Sequence, residues 1–174
     1  MSLLSWLLTA LAILDAEYFW LPDKLTLSGI GAGFVYALLR SWSGYYTDAR
    51  TTFYQTVSSS LIAIAFCAGI ILAIRLAYWL IRRKEGMGLG DAKLMAMLGA
   101  WLGLQGALES FALAIFGALI AALVWLAILA IRRKASQWAK MPLPLGTFLC
   151  LGALTEIFYP NWLWTTWTHV ILNY

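Results

Sequence analysis

Two aspartates in this sequence lie within or beside strongly apolar stretches. Asp15 follows a run of mostly apolar residues, and Asp91 follows the glycine-rich stretch 86–90. Burying a charge in lipid is costly, so such carboxylates often mark functional sites. Two carboxyl groups that share one water can cleave a peptide bond. One is ionised and takes a proton from the water, while the other is protonated, binds the scissile carbonyl and later protonates the leaving amine. Because such a pair titrates as a unit, the sequence assigns neither role to either aspartate.

Asp91 alone has a simpler interpretation as a helix cap. An aspartate at a helix N-terminus is a common cap and is favoured by the helix dipole. The preceding glycines are equally compatible with a flexible turn. A phosphate-binding loop is excluded, because no strand precedes the glycines and no Gly-Lys-Ser/Thr follows them. The prediction of peptide-bond cleavage therefore depends on both aspartates together, and not on Asp91 alone.

The elements that must position these aspartates are predicted to be membrane helices. Of the 174 residues, 63% are apolar and only 11% are charged, which is far from the composition of a soluble domain. We expect a single membrane-embedded domain over residues 1–174, of the all-α class, with about six spans. The predicted spans are Leu3–Leu21, Leu25–Leu39, Val57–Ile81, Leu94–Glu109, Phe111–Ile131 and Leu143–Tyr159. The second, fourth and sixth are short for a bilayer, and the stretch Ser41 to Thr56 is predicted to be a long loop.

The distribution of Lys and Arg predicts the orientation of these spans. With the N-terminus outside, ten of the twelve basic residues fall on the inner side or snorkel towards it, and only Arg40 and Arg50 fall outside. Both termini are therefore predicted on the non-cytoplasmic side, and the chain is predicted to be a multi-pass protein of the bacterial inner membrane. This topology places Asp15 and Asp91 together near the cytoplasmic surface. The aromatic-rich tail 161–174, with His169, is predicted to lie at the outer interface.

Other site classes find little support in the sequence. The basic clusters at 82–84 and 132–134 end apolar runs, so they indicate cytoplasmic anchors rather than nucleic-acid contacts. Cys67 and Cys150 lie in apolar stretches and are interpreted as small core residues. We expect no metal site and no cofactor, because His169 is the only histidine and no zinc-binding cysteine pair is present. The glycine pairs Gly29/Gly33 and Gly99/Gly103 are interpreted as close helix-packing positions.

The surroundings of both aspartates resemble a known family. The segment 86–103, GMGLGDAKLMAMLGAWLG, resembles the GxGDxKL region of type IV prepilin peptidases, which are membrane aspartic proteases of the GxGD type. Upstream, Asp15 precedes Leu21-Pro22-Asp23 as an aspartate precedes a Leu-Pro-Asp turn in their first motif. Pro144-Leu145-Gly146 resembles a third, weaker Pro-x-Gly element, with Thr147 where a second proline is usual. The resemblance extends from the first predicted span to the sixth.

The resemblance implies a function and a set of site residues. Asp15 and Asp91 match the catalytic aspartates. The supporting positions of the motifs are Gly88, Gly90, Lys93, Pro22 and Asp23. Members of this family remove a short basic leader, after a glycine and at the cytoplasmic face, from type IV prepilins or from pseudopilins of type II secretion. Glu17, Glu85 and Asp23 either attract that basic leader or are ordinary solvated charges.

The resemblance also implies limits. Many members carry two CxxC pairs that bind zinc ahead of the catalytic core, and this sequence is expected to lack that segment. It shows no methyl-donor site, so methyltransferase activity gains no support. The expected partners are the prepilin or pseudopilin and the lipid bilayer, without nucleic acid, and no signal indicates an oligomeric state. Two alternatives stay open: a related GxGD protease of the preflagellin type, and a small transporter or assembly scaffold that uses the aspartates as ion sites.

Overall fold

The computed structural model describes residues 2–18, 21–42, 49–83, 88–131, 144–160, 165–166 and 168. This part of the chain contains no β-strand and folds into five long α-helices. The helices are α1 (Ser2–Tyr18), α2 (Asp23–Trp42), α3 (Ala49–Arg82), α4 (Leu89–Ile131) and α5 (Leu145–Phe158). The predicted all-α class is confirmed.

Two of the predicted boundaries between α2 and α3 are wrong. α2 continues to Trp42 and α3 already begins at Ala49, so most of the long loop predicted from Ser41 to Thr56 is helical. At about 1.5 Å per residue, the 20 residues of α2 extend over about 30 Å, so this helix is not short for a bilayer. The polar residues of 49–56 had suggested a loop, but they form the first turns of a helix whose later turns are apolar and contact α4.

α4 is broken at Gly103, where φ is 74° and ψ is −177°. A positive φ is rare for residues with a Cβ, and glycine adopts it without strain. The break predicted at Ser110 is therefore in the wrong place. Ser110 lies inside the second half of α4, and its hydroxyl donates a hydrogen bond of 2.7 Å to the carbonyl of Gly106. The packing role predicted for Gly103 is also wrong, because no atom lies within 4 Å of where its Cβ would be.

Contacts on either side of Gly103 show that the chain reverses direction there. The second half of α4 (104–131) packs against α5 in antiparallel order, through contacts of Gly117 with Phe148, Ser110 with Gly152, and Gly106 with Glu156. The first half (89–102) begins beside the start of α5, because Leu21 lies against both Gly90 and Gly146. The two halves of α4 therefore run in opposite directions and form a helical hairpin.

We name the two ends of this bundle by their contents. The aspartate end holds Asp15, Asp91 and the start of α5, and the turn end holds Gly103.

The hairpin is tight. A Cβ on Gly106 would lie 3.0 Å from the Cβ of Leu102, whereas such atoms four residues apart in a continuous helix are about 5–6 Å apart.

The first half of α4 lies at the centre of the bundle and packs against α2 and α3. On α2, Gly29 lies against the side chain of Met97 and Gly33 against that of Trp101. The indole nitrogen of Trp101 donates a hydrogen bond of 2.9 Å to the Gly29 carbonyl. On α3, Ala63 and Cys67 contact Gly99. The packing role predicted for Gly29, Gly33 and Gly99 is confirmed, and so is that of Cys67 and Cys150 as buried core residues.

The outer surface of the bundle is strongly apolar. Two apolar stretches of the described residues, Phe53–Arg82 and Leu89–Ile128, are long and apolar enough to cross a membrane; the second includes both halves of α4, and α5 is a shorter apolar helix. Large apolar side chains such as Phe116, Ile120 and Leu123 are exposed along the second half of α4. Soluble monomers rarely expose continuous patches of this kind.

Candidate active site

The periodicity of α1 places Asp15 in the core of the bundle. Leu4, Leu8 and Leu11 are fully buried and recur at the spacing of one helix face, and Asp15 continues that face one turn later. The side chain of Asp15 is only 6% exposed. A carboxyl group at such a position requires polar partners, because an unpaired buried charge is strongly destabilising.

The partner of Asp15 is the first turn of α5. Thr147 donates two hydrogen bonds to Oδ2 of Asp15, one from its backbone N–H at 2.6 Å and one from its hydroxyl at 3.0 Å. Pro144 precedes the first residue of α5, so Thr147 belongs to the turn whose N–H groups have no partner within the helix. Asp15 therefore satisfies an unpaired donor of α5 from a different helix, and the helix dipole favours its negative charge.

Gly146 allows this close approach. A Cβ at this position would lie 2.8 Å from Oδ2 of Asp15 and 2.9 Å from its carboxyl carbon. A side chain here would therefore occupy the space of the carboxylate. The Pro-x-Gly element noted in the sequence thus has a local function in this chain, which is to bring the start of α5 against Asp15.

Asp91 is the third residue of α4 and directly follows Gly90. Leu21 lies against Gly90 and also against Gly146, which itself lies against Asp15, so both aspartates lie at the same end of the bundle. Asp91 is also in the first turn of α4, where the helix dipole favours a carboxylate, so the interpretation of Asp91 as a cap stays open. The bundle thus brings to one end two aspartates that are separated along the chain by the whole of α2 and α3.

The supporting residues connect the start of α2 to the start of α4. Lys93 and Asp23 form an ion pair of 2.6 Å. The carbonyl of Pro22 accepts hydrogen bonds from the backbone N–H groups of Leu25 and Thr26, so it closes the first turn of α2. These contacts hold the two predicted motifs against each other at the aspartate end.

Leu21 provides the apolar part of the same connection. It is buried, and a Cβ at Gly90 would lie 3.1 Å from its side chain. Leu21 also contacts Gly146, so one leucine touches the second and third motifs together. Gly88 directly precedes α4 and is exposed.

The remaining predicted residues lie apart from this cluster or outside the described residues. Glu17 is exposed on the last turn of α1. Glu85 lies outside the described residues, as do His169 and most of the tail 161–174. Within the ranges that the structure describes, no group of three or more His, Cys, Asp and Glu side chains could hold a metal ion.

The sequence reasoning missed the role of Thr147. It noted this residue only as a departure from a proline, yet a proline has no N–H and no hydroxyl and could donate neither hydrogen bond. The available signal was a threonine shortly after a proline that starts a helix, because hydroxyl residues at helix N-termini often bond to polar groups there. That signal does not identify the carboxylate that accepts the bonds.

A family comparison agrees with the motifs. Residues 2–131 match the model of the type IV leader peptidase family. The chain belongs to this family. The resemblance to prepilin peptidases is thereby confirmed, and family membership together with the two long apolar helices identifies a membrane protein.

Several curated members of the type IV leader peptidase family are similar to this chain, and each is named prepilin leader peptidase/N-methyltransferase. The protein of Aeromonas hydrophila is 32% identical over 160 residues, which cover 90% of this chain and 48% of the relative. That of Pectobacterium carotovorum subsp. carotovorum is 34% identical over 155 residues, covering 87% and 48%. That of Legionella pneumophila is 31% identical over 157 residues, covering 88% and 47%. The chain spans about half the length of these relatives, and no solved structure matches it.

Proposed function

We propose that this chain is a membrane aspartic endopeptidase that removes the short basic leader from type IV prepilins or type II secretion pseudopilins. One observation carries the proposal. The aspartates of the first two motifs lie at the same end of a helical bundle: Asp15 lies against Gly146, Asp91 directly follows Gly90, and Leu21 contacts both glycines. The names of the similar proteins support the same activity and substrate class.

The proposed catalytic residues are Asp15 and Asp91. A water held between their carboxyl groups loses a proton to the ionised one, and its oxygen attacks the carbonyl carbon of the glycine that ends the leader. The protonated carboxyl group hydrogen-bonds the carbonyl oxygen and stabilises the tetrahedral intermediate. The C–N bond then breaks as the leaving nitrogen takes a proton, which frees the new N-terminus of the pilin.

We propose supporting roles for the other motif residues. Gly88, Gly90 and Pro22 shape the backbone at the starts of α4 and α2, and the Lys93–Asp23 ion pair joins those starts. Lys93 already neutralises Asp23, so among the described residues the exposed Glu17 is the better candidate for attracting the basic leader. Glu85, next to the glycine-rich stretch, is proposed for the same role from the sequence alone.

The proposed setting is a single domain, residues 1–174, in the bacterial inner membrane. Division of α4 at Gly103 gives six helical segments in the described part of the chain, which agrees with six spans, and the distribution of Lys and Arg supports both termini outside the cytoplasm. That orientation puts the aspartate end at the cytoplasmic face, where the basic leader lies. No cofactor is included in the proposal.

The direct test is a cleavage assay on the full chain in detergent. The purified protein is mixed with a prepilin whose leader ends in glycine, and the product is followed by its shift on a gel. We expect cleavage after the glycine. Cleavage of a preflagellin but not of a prepilin would favour the related protease, and cleavage of neither would favour the transporter or scaffold.

The orientation has its own test in reporter fusions. Fusions after Lys84 and Lys134 should report the cytoplasm, and one at Asp48 should report the outside; all three sites lie outside the described residues and follow from the Lys and Arg distribution. A cytoplasmic signal at Asp48 would contradict the topology and would separate the aspartates from the leader.

A further inference from the structure

We propose that Thr147 is the positioning residue of Asp15: its two hydrogen bonds to Oδ2 fix the carboxylate so that Oδ1 is left for the catalytic water. This inference rests on the proposed peptidase function. It assigns a role to a residue outside both aspartate motifs, at the start of α5.

The geometry of Thr147 is specific to one oxygen of Asp15. Its N–H and its hydroxyl both reach Oδ2, at 2.6 and 3.0 Å. The hydroxyl also lies 3.3 Å from the carbonyl of Ala12, one turn before Asp15 on α1. A hydroxyl has one proton to donate, and both the shorter distance and the charge of the carboxylate favour Asp15 as its acceptor.

The other oxygen of Asp15 has a different environment. No side chain or backbone group among the described residues donates a hydrogen bond to Oδ1. The torsion that orients a carboxylate is soft, so without partners its two oxygens would exchange places. Two donors on Oδ2 remove that freedom, and they leave Oδ1 as the oxygen available to a water or to the proton of the pair. Catalytic groups lose much of their effect when displaced by as little as 1 Å.

Other hydroxyl groups in these helices show that the arrangement is not a general property of threonine in a helix. Several other Ser and Thr hydroxyls in the described helices donate to a carbonyl three or four residues earlier in their own helix. Examples are those of Thr9, Ser28, Ser58, Ser59, Ser110 and Thr155. Thr147 instead reaches across to α1. Thr155, on the same helix and bonded at 2.6 Å to the Gly152 carbonyl, is therefore a matched control.

The first experiment measures prepilin cleavage by Thr147→Val, Thr147→Ser and Thr155→Val. Valine keeps the shape and the N–H but removes the hydroxyl, so we expect kcat to fall about tenfold while KM stays within about twofold. Serine keeps both donors and should retain most of the activity. Thr155→Val should cleave at the wild-type rate. Equal rates for Thr147→Val and Thr155→Val, or a loss in Thr147→Ser as large as in Thr147→Val, would overturn the positioning role.

The second experiment does not depend on cleavage. Thr147→Val is made in the wild-type and in the Asp15→Ala background, and Tm is measured in detergent for all four proteins. If the hydroxyl bonds to Asp15, the substitution should lower Tm by about 2–4 °C in the wild type and have little effect without the carboxylate. An equal decrease in both backgrounds would refute the contact.

Together the two readouts separate this inference from the proposed function. If Thr147→Val lowers Tm only when Asp15 is present, but the wild type cleaves no prepilin, the peptidase function is refuted and the contact between Thr147 and Asp15 is supported. If the wild type cleaves prepilin, but Thr147→Val lowers Tm equally with and without Asp15, the peptidase function is supported and the contact is refuted.

Discussion

The aspartate end and the turn end of the bundle each contain two carboxyl side chains, but the two pairs have different kinds of partner. At the aspartate end, Asp15 of α1 accepts two hydrogen bonds from α5, and Asp91 of α4 lies at the same end of the bundle. At the turn end, Glu156 lies against Gly106, and Glu109 accepts a hydrogen bond from Gln105 of its own helix.

Glu109 shows what a carboxyl group lacks at the turn end. Its Oε2 is buried, and within the described part of the chain it has no hydrogen-bond partner. The partner of its other oxygen, Gln105, is a neighbour four residues earlier on the same helix, a contact that any helix can form. The two ends therefore differ in how a carboxyl group is held: Glu109 is bonded within its own helix, and Asp15 is bonded by a different helix. At the aspartate end, donors from a separate helix fix one oxygen, and the two aspartates come from different helices.

The largest expected difference between the two ends is in catalysis. Asp15→Asn and Asp91→Asn should each reduce prepilin cleavage by at least about 100-fold, because asparagine can neither take nor hold the proton that the mechanism moves. Glu109→Gln and Glu156→Gln, the same kind of change at the turn end, should leave the rate near that of the wild type. The rate is measured in detergent, and size-exclusion chromatography checks that each variant is folded. Wild-type rates in both aspartate variants would exclude the protease.

Gly146→Ala should have the next largest effect. The added Cβ would lie 2.8 Å from Oδ2 of Asp15, so the carboxylate or the start of α5 must move. We expect cleavage to fall by about tenfold or more, since a displacement near 1 Å is sufficient for such a loss. Gly69→Ala is the control, because no atom lies within 4 Å of a Cβ there. Similar rates in the two variants would show that Asp15 does not need this close approach.

At the turn end, Gly103→Ala should affect stability more than chemistry. Alanine at φ 74° and ψ −177°, a region that almost only glycine adopts, is strained by about 1–3 kcal/mol, which corresponds to a decrease in Tm of roughly 3–9 °C. Gly31→Ala, at an equally open position inside α2, should be neutral or slightly stabilising, because alanine favours a helix. The Tm values of the two proteins are measured by thermal unfolding in the same detergent and compared. A Gly103→Ala protein as stable as the wild type would mean that the hairpin does not depend on this backbone conformation.

Asp23→Asn should have the smallest effect of these four sets of substitutions. It removes the partner of Lys93, and a partly exposed pair of this kind stabilises by about 0.2–1 kcal/mol. We expect cleavage to fall a few-fold at low salt, with the difference from the wild type shrinking at high salt as the charges are screened. Rates at two salt concentrations test this. A loss as complete as that of Asp15→Asn would give Asp23 a direct role in the chemistry.

The sequence by itself determined the class of the protein and its candidate catalytic pair. Apolar composition predicted membrane helices, because a soluble fold could not cover so much apolar surface with polar groups. Asp15 and Asp91 stood out because charge is costly in such stretches, and the short motifs around them led to the family. These features are local, so they can be identified without knowledge of the fold.

Only the tertiary structure decided where the chain turns and what holds the aspartate. Glycine is common in apolar helices, and nothing in the sequence distinguishes Gly103, which adopts a positive φ, from Gly99, which packs against α3. The contact between Thr147 and Asp15 joins residues 132 positions apart. Such a contact depends on the packing of α1 against α5, which is a sum of many weak, non-directional contacts that no local pattern records.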